Sequence, residues 1–460
     1  MNINRVMIGA VKSGSGKTTI TCGLLHMLKG MGLNLMSFKC GPDYIDPMFH
    51  SRVLGVDAVN LDTFFSGEEV TKSLFIKHTM GSKDMAVMEG VMGLYDGLSG
   101  VRKEGSSYHL AQVTKTPIIL VVDTKGMAKS IIPLIAGFLQ YDTDKLIKGV
   151  ILNRMSKSYY GIIKELIENE LDIKVIGYVK EDKEIQIGSR HLGLFMPQEM
   201  ADIRIKLDKI SERLKETLDI DEILKISEGA SDISAVIDNK KYNNETPAVK
   251  IGVAYDEAFC FYYKDNLDML KEYGGEIVYF SPLRDKAIPN DLGAVIIGGG
   301  YPELYLKELE DNKTMRESIK KAYDSGMPVI AECGGFMYLH KAIIDNNGHE
   351  YKMADLLDGV CENKGKLVRF GYIELEEKES EFLPAGECIK AHEFHYFDST
   401  CNGEFVVAKK PASNRTYDCV VKKNNSWLGF PHLYYPSNPA FPESIVRKAY
   451  LYRNNIIQKN

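Results

Sequence analysis

The sequence predicts two α/β domains, each built on a parallel sheet. Three observations carry this prediction. Short apolar, β-rich runs alternate with longer amphipathic stretches through most of the chain, the pattern of repeated strand–helix–strand units. Those runs are nearly continuous in apolarity, as strands buried on both faces must be. A polar stretch, Ser231 to Pro247, interrupts them with Asp238-Asn239-Lys240-Lys241 and Asn243-Asn244-Glu245-Thr246-Pro247. That composition buries too little surface to fold alone and reads as a linker.

We therefore expect a first domain over 1–230, a linker over 231–247 and a second domain over 248–460. The length of 460 residues allows two or three units at about 150 residues each. In the first domain the expected strands include Val6 to Ala10, Met85 to Met88, Ile118 to Asp123 and Gly149 to Leu152. Leu207 to Ile226 reads as one charged, solvated helix closing the domain. The second domain restarts the alternation with Val249 to Ala254, Glu276 to Phe280, Ala294 to Ile297 and Pro328 to Ala331.

Composition narrows the function classes. At 44% hydrophobic and 26% charged residues the chain is globular rather than fibrous or disordered. A net charge of −6 supplies no basic field for nucleic acid, so no nucleic-acid partner is expected. The longest apolar runs, Pro117 to Val122 and Ile131 to Leu139, fall short of the ~20 residues that span a bilayer. The opening Met1-Asn2-Ile3-Asn4-Arg5 does not read as a signal peptide, and no membrane partner is expected. Eight cysteines are scattered without C-x-x-C spacing, as reduced thiols of a cytoplasmic protein would be.

The strongest local signal runs from Gly9 to Thr19. A strand feeds Lys12-Ser13-Gly14-Ser15-Gly16-Lys17-Thr18-Thr19 and opens directly onto a helix, Thr19 to Lys29. Gly14 and Gly16 let backbone N–H groups close around phosphate oxygens, and the helix N-terminus adds donors and partial positive charge. Lys17 can reach the outer phosphates of a nucleotide, and the Thr18 hydroxyl can ligate Mg²⁺. Val11 stands where the strict phosphate-loop pattern has glycine. Lys12 stands where the deviant loops of partitioning ATPases and dethiobiotin synthetase-like enzymes carry lysine.

Two acidic loops follow expected strands. Lys39-Cys40-Gly41-Pro42-Asp43-Tyr44-Ile45-Asp46 places Lys39, Asp43 and Asp46 where parallel sheets bind ligands. In Glu89-Gly90-Val91-Met92-Gly93-Leu94-Tyr95-Asp96-Gly97, Glu89 takes the position of an acidic Mg²⁺ contact. Thr18, Asp46 and Glu89 are thus the candidate metal ligands. Asn153, at the end of Val150-Ile151-Leu152-Asn153-Arg154, is a candidate for recognising the purine base of ATP.

In the second domain Ala331-Glu332-Cys333-Gly334-Gly335 joins a strand to a helix by a sharp turn, the setting of an exposed nucleophile. A helix N-terminus and a nearby imidazole favour the reactive thiolate. The N–H groups of Gly299 and Gly300, in Gly298-Gly299-Gly300-Tyr301, can join that of Gly334 to meet an oxyanion. Three histidines, His392, His395 and His432, are candidates for the base, and spacing does not rank them.

These segments resemble the cobyrinic acid a,c-diamide synthase family nearly end to end. The likeness runs through S-G-S-G-K-T-T (13–19), F-K-C-G-P-D-Y-I-D (38–46), E-G-V-M-G-L-Y-D-G (89–97), R-H-L-G-L (190–194) and D-E-A-F-C-F-Y-Y-K-D-N (256–266). It continues through G-G-G-Y-P-E-L (298–304), A-E-C-G-G-F-M-Y-L (331–339) and H-E-F-H-Y (392–396). The resemblance implies a dethiobiotin synthetase-like ATPase domain followed by a class I glutamine amidotransferase domain. It implies Cys333 as the nucleophile toward glutamine and His432 as its base. Most class I amidotransferases continue H-x-E; Tyr434 stands here instead, so a Cys–His dyad is expected. Lys17, Thr18 and Glu89 would hold Mg·ATP, and Asp43, Tyr44 and Asp96 match positions used around the substrate and the transferring phosphate. The implied partners are ATP, L-glutamine and cobyrinic acid. Ni-sirohydrochlorin a,c-diamide synthases share the fold and motifs, and the residues do not separate the cobalt from the nickel ring.

Overall fold

The apolar runs of the first unit form seven parallel strands in the computed structural model, which describes residues 2–81, 83–182, 197–235, 248–413 and 415–457. They are β1 (Arg5–Ala10), β2 (Leu35–Cys40), β3 (Asp57–Leu61), β4 (Met85–Glu89), β5 (Ile118–Asp123), β6 (Ile147–Asn153) and β7 (Lys174–Val179). Their order is β3-β2-β4-β1-β5-β6-β7. Every residue of β1, β2, β4 and β5 is buried, which explains their unbroken apolarity. The order reverses around β1, and the carboxyl ends beside such a switch are where ligands bind. The phosphate loop and the two acidic loops follow β1, β2 and β4, and Asn153 ends β6.

The helix expected over Leu207 to Ile226 is two helices, Pro197–Thr217 and Ile220–Glu228. The break falls at Asp219, whose side chain accepts from the Glu222 N–H at 3.0 Å and caps the second helix. The first is not solvated all round: Ile203, Leu207, Ile210 and Leu214 are buried in the core that includes Ile20 and Leu24. The motif R-H-L-G-L (190–194) and most of the expected linker, 236–247, lie outside the described residues. The chain divides into two compact units, Met1–Asp238 and Asn239–Asn460.

In the second unit five parallel strands stand in the order Trp427–Gly429, Val329–Glu332, Leu292–Ile297, Val249–Ala254, Gly275–Phe280. Between residues 340 and 433 the expected strand–helix alternation gives way to two further sheets. One gathers Glu350–Lys352, His340–Ile344, Leu357–Asn363 and Phe397–Ser399. The other, wholly antiparallel, runs Thr416–Cys419, Val406–Lys409, Arg369–Glu377, Cys388–His395, His432–Leu433. Ile373, Leu375, Ile389, Ala391, Val406 and Ala408 of this sheet are buried in one core. Their spacing of two is the mark of a sheet covered on one face. Among the described residues no helix is long and apolar enough to cross a membrane.

Candidate active sites

The phosphate loop turns through left-handed backbone at Gly14 and Gly16, with φ of 74° and 93°. Gly16 also admits a neighbour, since a Cβ there would collide with the Asn153 amide. Helix Lys17–Gly30 begins at the loop, two residues earlier than the sequence suggests. A cavity of about 720 Å³ lies over it, lined by Ser13, Gly14, Gly16, Lys17, Thr18, Thr19, Asp43, Asp46, Glu89 and Asn153. Of the other candidates, Lys12 is exposed with Nζ 3.5 Å from Asp123 Oδ2. The buried Ser15 Oγ donates to the Lys12 carbonyl at 2.9 Å. Tyr44 is buried at the start of helix Ile45–Arg52. Asp96 accepts from the Gly93 N–H at 2.8 Å and attracts the Lys17 ammonium.

Lys39 organises the acidic wall of this cavity. Its buried ammonium bonds Asp46, lies 3.0 Å from Glu89 Oε1 and 3.7 Å from Asp43 Oδ2. Burial alone would lower this ammonium, but Glu89, Asp46 and Asp43 hold it well above its ordinary range. Burial pushes Glu89 up to about 7 despite Lys39, and pushes Asp43, beside Asp46, up to about 6. Thr18 Oγ1 donates to Glu89 Oε1 at 2.6 Å. Behind Glu89 sits His50, its Nδ1 paired with Ser37 Oγ at 2.9 Å and its Nε2 3.5 Å from Glu89 Oε2. Burial lowers His50 to about 4, so the ring is neutral at physiological pH.

Thr18, Asp46 and Glu89 form an oxygen donor set suited to Mg²⁺, and Glu89 Oε2 is buried without a hydrogen bond. Among the described residues no three acidic, histidine or cysteine side chains gather closely enough to hold a metal by themselves. Mg²⁺ arriving with a nucleotide takes most of its ligands from phosphate and water, so one or two protein oxygens suffice.

Asn153 lines the cavity and also makes hydrogen bonds within the chain. Its Nδ2 donates to the Ser15 carbonyl at 2.7 Å and its Oδ1 accepts from the Arg154 N–H at 3.0 Å. The first of these bonds ties Asn153 to the phosphate loop. Arg154 adds a second grip, donating to the Gly14 carbonyl at 3.1 Å and to Asp123 at 2.8 Å. His50 and Arg154 were not among the sequence candidates for the site. Lys39 was a candidate and Arg154 stood beside one, but their partners come from other strands.

Cys333 ends strand Val329–Glu332 with φ 47° and ψ −104°, a strained conformation for a residue with a side chain. Its N–H donates to the Gly429 carbonyl at 2.9 Å and its carbonyl accepts from the Met337 N–H at 2.9 Å, fixing the turn from both sides. Burial raises the thiol well above its ordinary range, Glu303 adds to this, and the Gly334 N–H opposes it. Gly300 N lies 3.2 Å from where a Gly334 Cβ would sit, so the two glycine turns meet. A Cβ on Gly299 would collide with the His432 ring. The structure therefore brings His432, Gly299, Gly300 and Gly334 together beside the strand end that carries Cys333.

Strand pairing sorts the three histidines. His392 lies opposite His432 in register, and their rings stack at 4.8 Å with 17° between planes. His392 Nδ1 pairs with the Tyr263 hydroxyl at 3.1 Å, and burial lowers the ring well below its ordinary range. His395 stacks on Phe430 at 4.0 Å, with Nδ1 2.6 Å from the Phe397 carbonyl. His432 is lowered by burial to about 3, and its Nδ1 lies 4.0 Å from Glu332 Oε2.

Comparison with known proteins agrees with this division. Residues 6–194 match the family described as CobQ/CobB/MinD/ParA nucleotide binding domain, and residues 250–438 match the CobB/CobQ-like glutamine amidotransferase domain. A cobyrinate a,c-diamide synthase of Picrophilus torridus is 41% identical over 454 residues, covering 98% of this chain and 100% of that one. The chain belongs to the cobyrinate a,c-diamide synthase family. Members from Caldanaerobacter subterraneus and Clostridium tetani are 39% and 38% identical, covering 93% and 96% of this chain and 94% and 99% of theirs. With a nucleotide-binding domain and a glutamine amidotransferase domain, this family member is an ATP-dependent ligase that uses glutamine.

Proposed function

We propose that the chain amidates the a and c carboxylates of cobyrinic acid in turn, with ammonia from glutamine and one ATP for each amide. The observation that carries this reading is the pairing, on one chain, of two unlike sites. One is a nucleotide cavity walled by Lys39, Asp43, Asp46 and Glu89. The other is a strained Cys333 at a strand end that also gathers His432 and two glycine turns. Relatives similar over nearly their whole length bear the name of this reaction.

A carboxylate resists attack by ammonia until one oxygen becomes a leaving group. In the first unit a substrate carboxylate oxygen attacks the γ-phosphorus of ATP, forming an acyl phosphate and releasing ADP. Ammonia then forms the C–N bond and phosphate departs. The loop N–H groups and Lys17 hold the phosphates, while Asp43, Tyr44 and Asp96 are assigned to the substrate and the group in transfer. Thr18, Asp46 and Glu89 would hold the Mg²⁺ of Mg·ATP, which supplies positive charge against the phosphates.

In the second unit Cys333 gives its proton to His432 as sulfur bonds the carboxamide carbon of glutamine. The N–H groups of Gly299, Gly300 and Gly334 receive the oxyanion. His432 returns the proton to the departing nitrogen as the C–N bond breaks, and ammonia leaves. Water then cleaves the thioester to glutamate.

The test is mass spectrometry of parallel incubations with Mg·ATP, glutamine and either cobyrinic acid or Ni-sirohydrochlorin. Two successive acid-to-amide shifts on cobyrinic acid alone are expected. Amidation of the nickel ring alone would move the substrate to that tetrapyrrole, and amidation of neither, even with ammonia supplied, would overturn the reading of the first unit.

A further inference from the structure

The residue before the nucleophile has no role in the chemistry above, yet it is a fully enclosed acid. Glu332 pairs in register with Gly429, and strand alternation puts its side chain on the same face as Ile330, among Leu433 and Tyr435. It is 6% exposed. Its carboxyl group accepts from the Leu433 N–H, and its Oε2 stands 4.0 Å from His432 Nδ1. The other ionisable groups that face it are the Cys333 thiol and the phenols of Tyr262 and Tyr435. The Tyr262 hydroxyl is already engaged, donating to the Ala254 carbonyl at 2.5 Å and accepting from the Gly298 N–H at 2.7 Å. On the far side of His432, His392 is neutral and stacked and supplies no counter-charge, while His395 lowers the His432 ring and Glu393 raises it.

The position that carries glutamate in the H-x-E pattern is Tyr434. Its N–H bonds the Lys390 carbonyl at 3.0 Å and its ring meets Tyr263 edge-on at 5.2 Å. A phenol there cannot balance an imidazolium as a carboxylate does. A cavity of about 10 Å³ beside Glu332, lined by Tyr262, Tyr263, Asn266 and Tyr435, leaves room for about one water or for a small shift of the carboxylate. Catalytic hydrogen bonds are commonly long before substrate binds and tighten in the complex.

We infer that Glu332 is the positioning residue for His432, taking from the facing strand the place that Tyr434 leaves vacant. Its carboxylate holds the proton of the neutral ring on Nδ1, leaving Nε2 to accept the Cys333 proton, and then balances the imidazolium. In so dry a site the negative charge of the carboxylate, once formed, acts strongly on a charge that appears only during reaction. Burial pushes Glu332 itself up to about 8, so glutamine hydrolysis should rise with pH through that range as the carboxylate forms. The inference rests on the reading of Cys333 and His432 as the glutaminase pair.

Glu332→Gln keeps the shape and an acceptor for the Leu433 N–H but removes the charge. Glutamine-dependent kcat should fall about 10²- to 10⁴-fold, with KM for glutamine within about 3-fold of the parent. The ammonia-dependent rate, which needs only the first unit and a folded chain, should be unchanged. The midpoint near pH 8 in the rise of glutamine hydrolysis should move by about one unit or more. Glu332→Asp should recover part of both losses. A Gln variant with glutamine-dependent kcat within about 3-fold of the parent and an unshifted midpoint overturns the inference. If the Gln variant also loses the ammonia-dependent rate, the Asp variant decides: restored glutamine turnover supports Glu332, and turnover no better than with Gln overturns it. Cys333→Ala separates the two levels, because glutamine-dependent amidation surviving in that variant would sink the reading of the pair itself.

Discussion

Around Lys39 an ammonium meets three carboxylates, bonded to Asp46, 3.0 Å from Glu89 and 3.7 Å from Asp43, so a buried cation has opposite charge beside it. Around Cys333 the reverse holds: burial raises the thiol, lowers His432 to about 3 and raises Glu332 to about 8, so each resting group is pushed toward its neutral form. The difference follows from what each site receives. A nucleotide brings a large negative charge and its own cation, so a wall of paired charges can exchange partners. Glutamine's carboxamide is neutral, and charge appears there only as sulfur attacks, which favours a dry site with fixed dipoles.

The sharpest way to break this comparison is to remove the nucleophile. Cys333→Ala should abolish glutamine-dependent amidation, a loss of about 10⁴-fold or more, and spare ammonia-dependent amidation. Equal loss with both nitrogen sources would mean that the two chemistries are not separable. Next in size, Glu89→Gln should lower both rates about 10²- to 10³-fold, since it removes charge opposite Thr18 and Lys39 from the shared activation step. A rate that falls with glutamine alone would misplace Glu89.

A smaller effect sharpens the electrostatic half. With Glu89 near 7 and Asp43 near 6, both raised by burial, these carboxyls are protonated on the acid side and ionise on the alkaline side. A bound cation favours the ionised form. Mg·ATP affinity measured by calorimetry should therefore strengthen from about pH 6 to about pH 8, with protons released on binding. A flat profile would show that these acids do not meet the cation. The smallest effect is expected at the loop: Asn153→Ala removes the bond to the Ser15 carbonyl and should raise KM for ATP about 5- to 10-fold with kcat nearly unchanged. A change in kcat alone would argue against loop positioning.

What could be read in advance was local. The phosphate loop and the Cys333 turn are each encoded within a dozen consecutive residues, where glycine placement and a strand–helix junction state the geometry. What escaped was set by pairing between distant segments. Lys39 was visible beside Asp43 and Asp46, but its bond to Glu89 depends on β2 lying next to β4. The choice among His392, His395 and His432 depends on the antiparallel register that sets His392 opposite His432. Glu332 was hidden in another way: a search two residues beyond the histidine finds Tyr434, whereas the acid lies on the strand before the nucleophile. The sheets between 340 and 433 were also missed, although the spacing of two in Ile373 and Leu375 marks one of them. The break at Asp219 was legible as an acid three residues before Glu222, a capping pattern inside an apparently continuous helix.

The central claim is that one chain draws nitrogen from glutamine in its second unit and spends ATP on a ring carboxylate in its first. The most direct measurement is the mass of the product formed from cobyrinic acid, Mg·ATP and glutamine labelled with ¹⁵N at the amide, with ADP counted in parallel. The account predicts two labelled amides per ring and two ADP per diamide. A product without label, or label incorporated without ADP release, would contradict it.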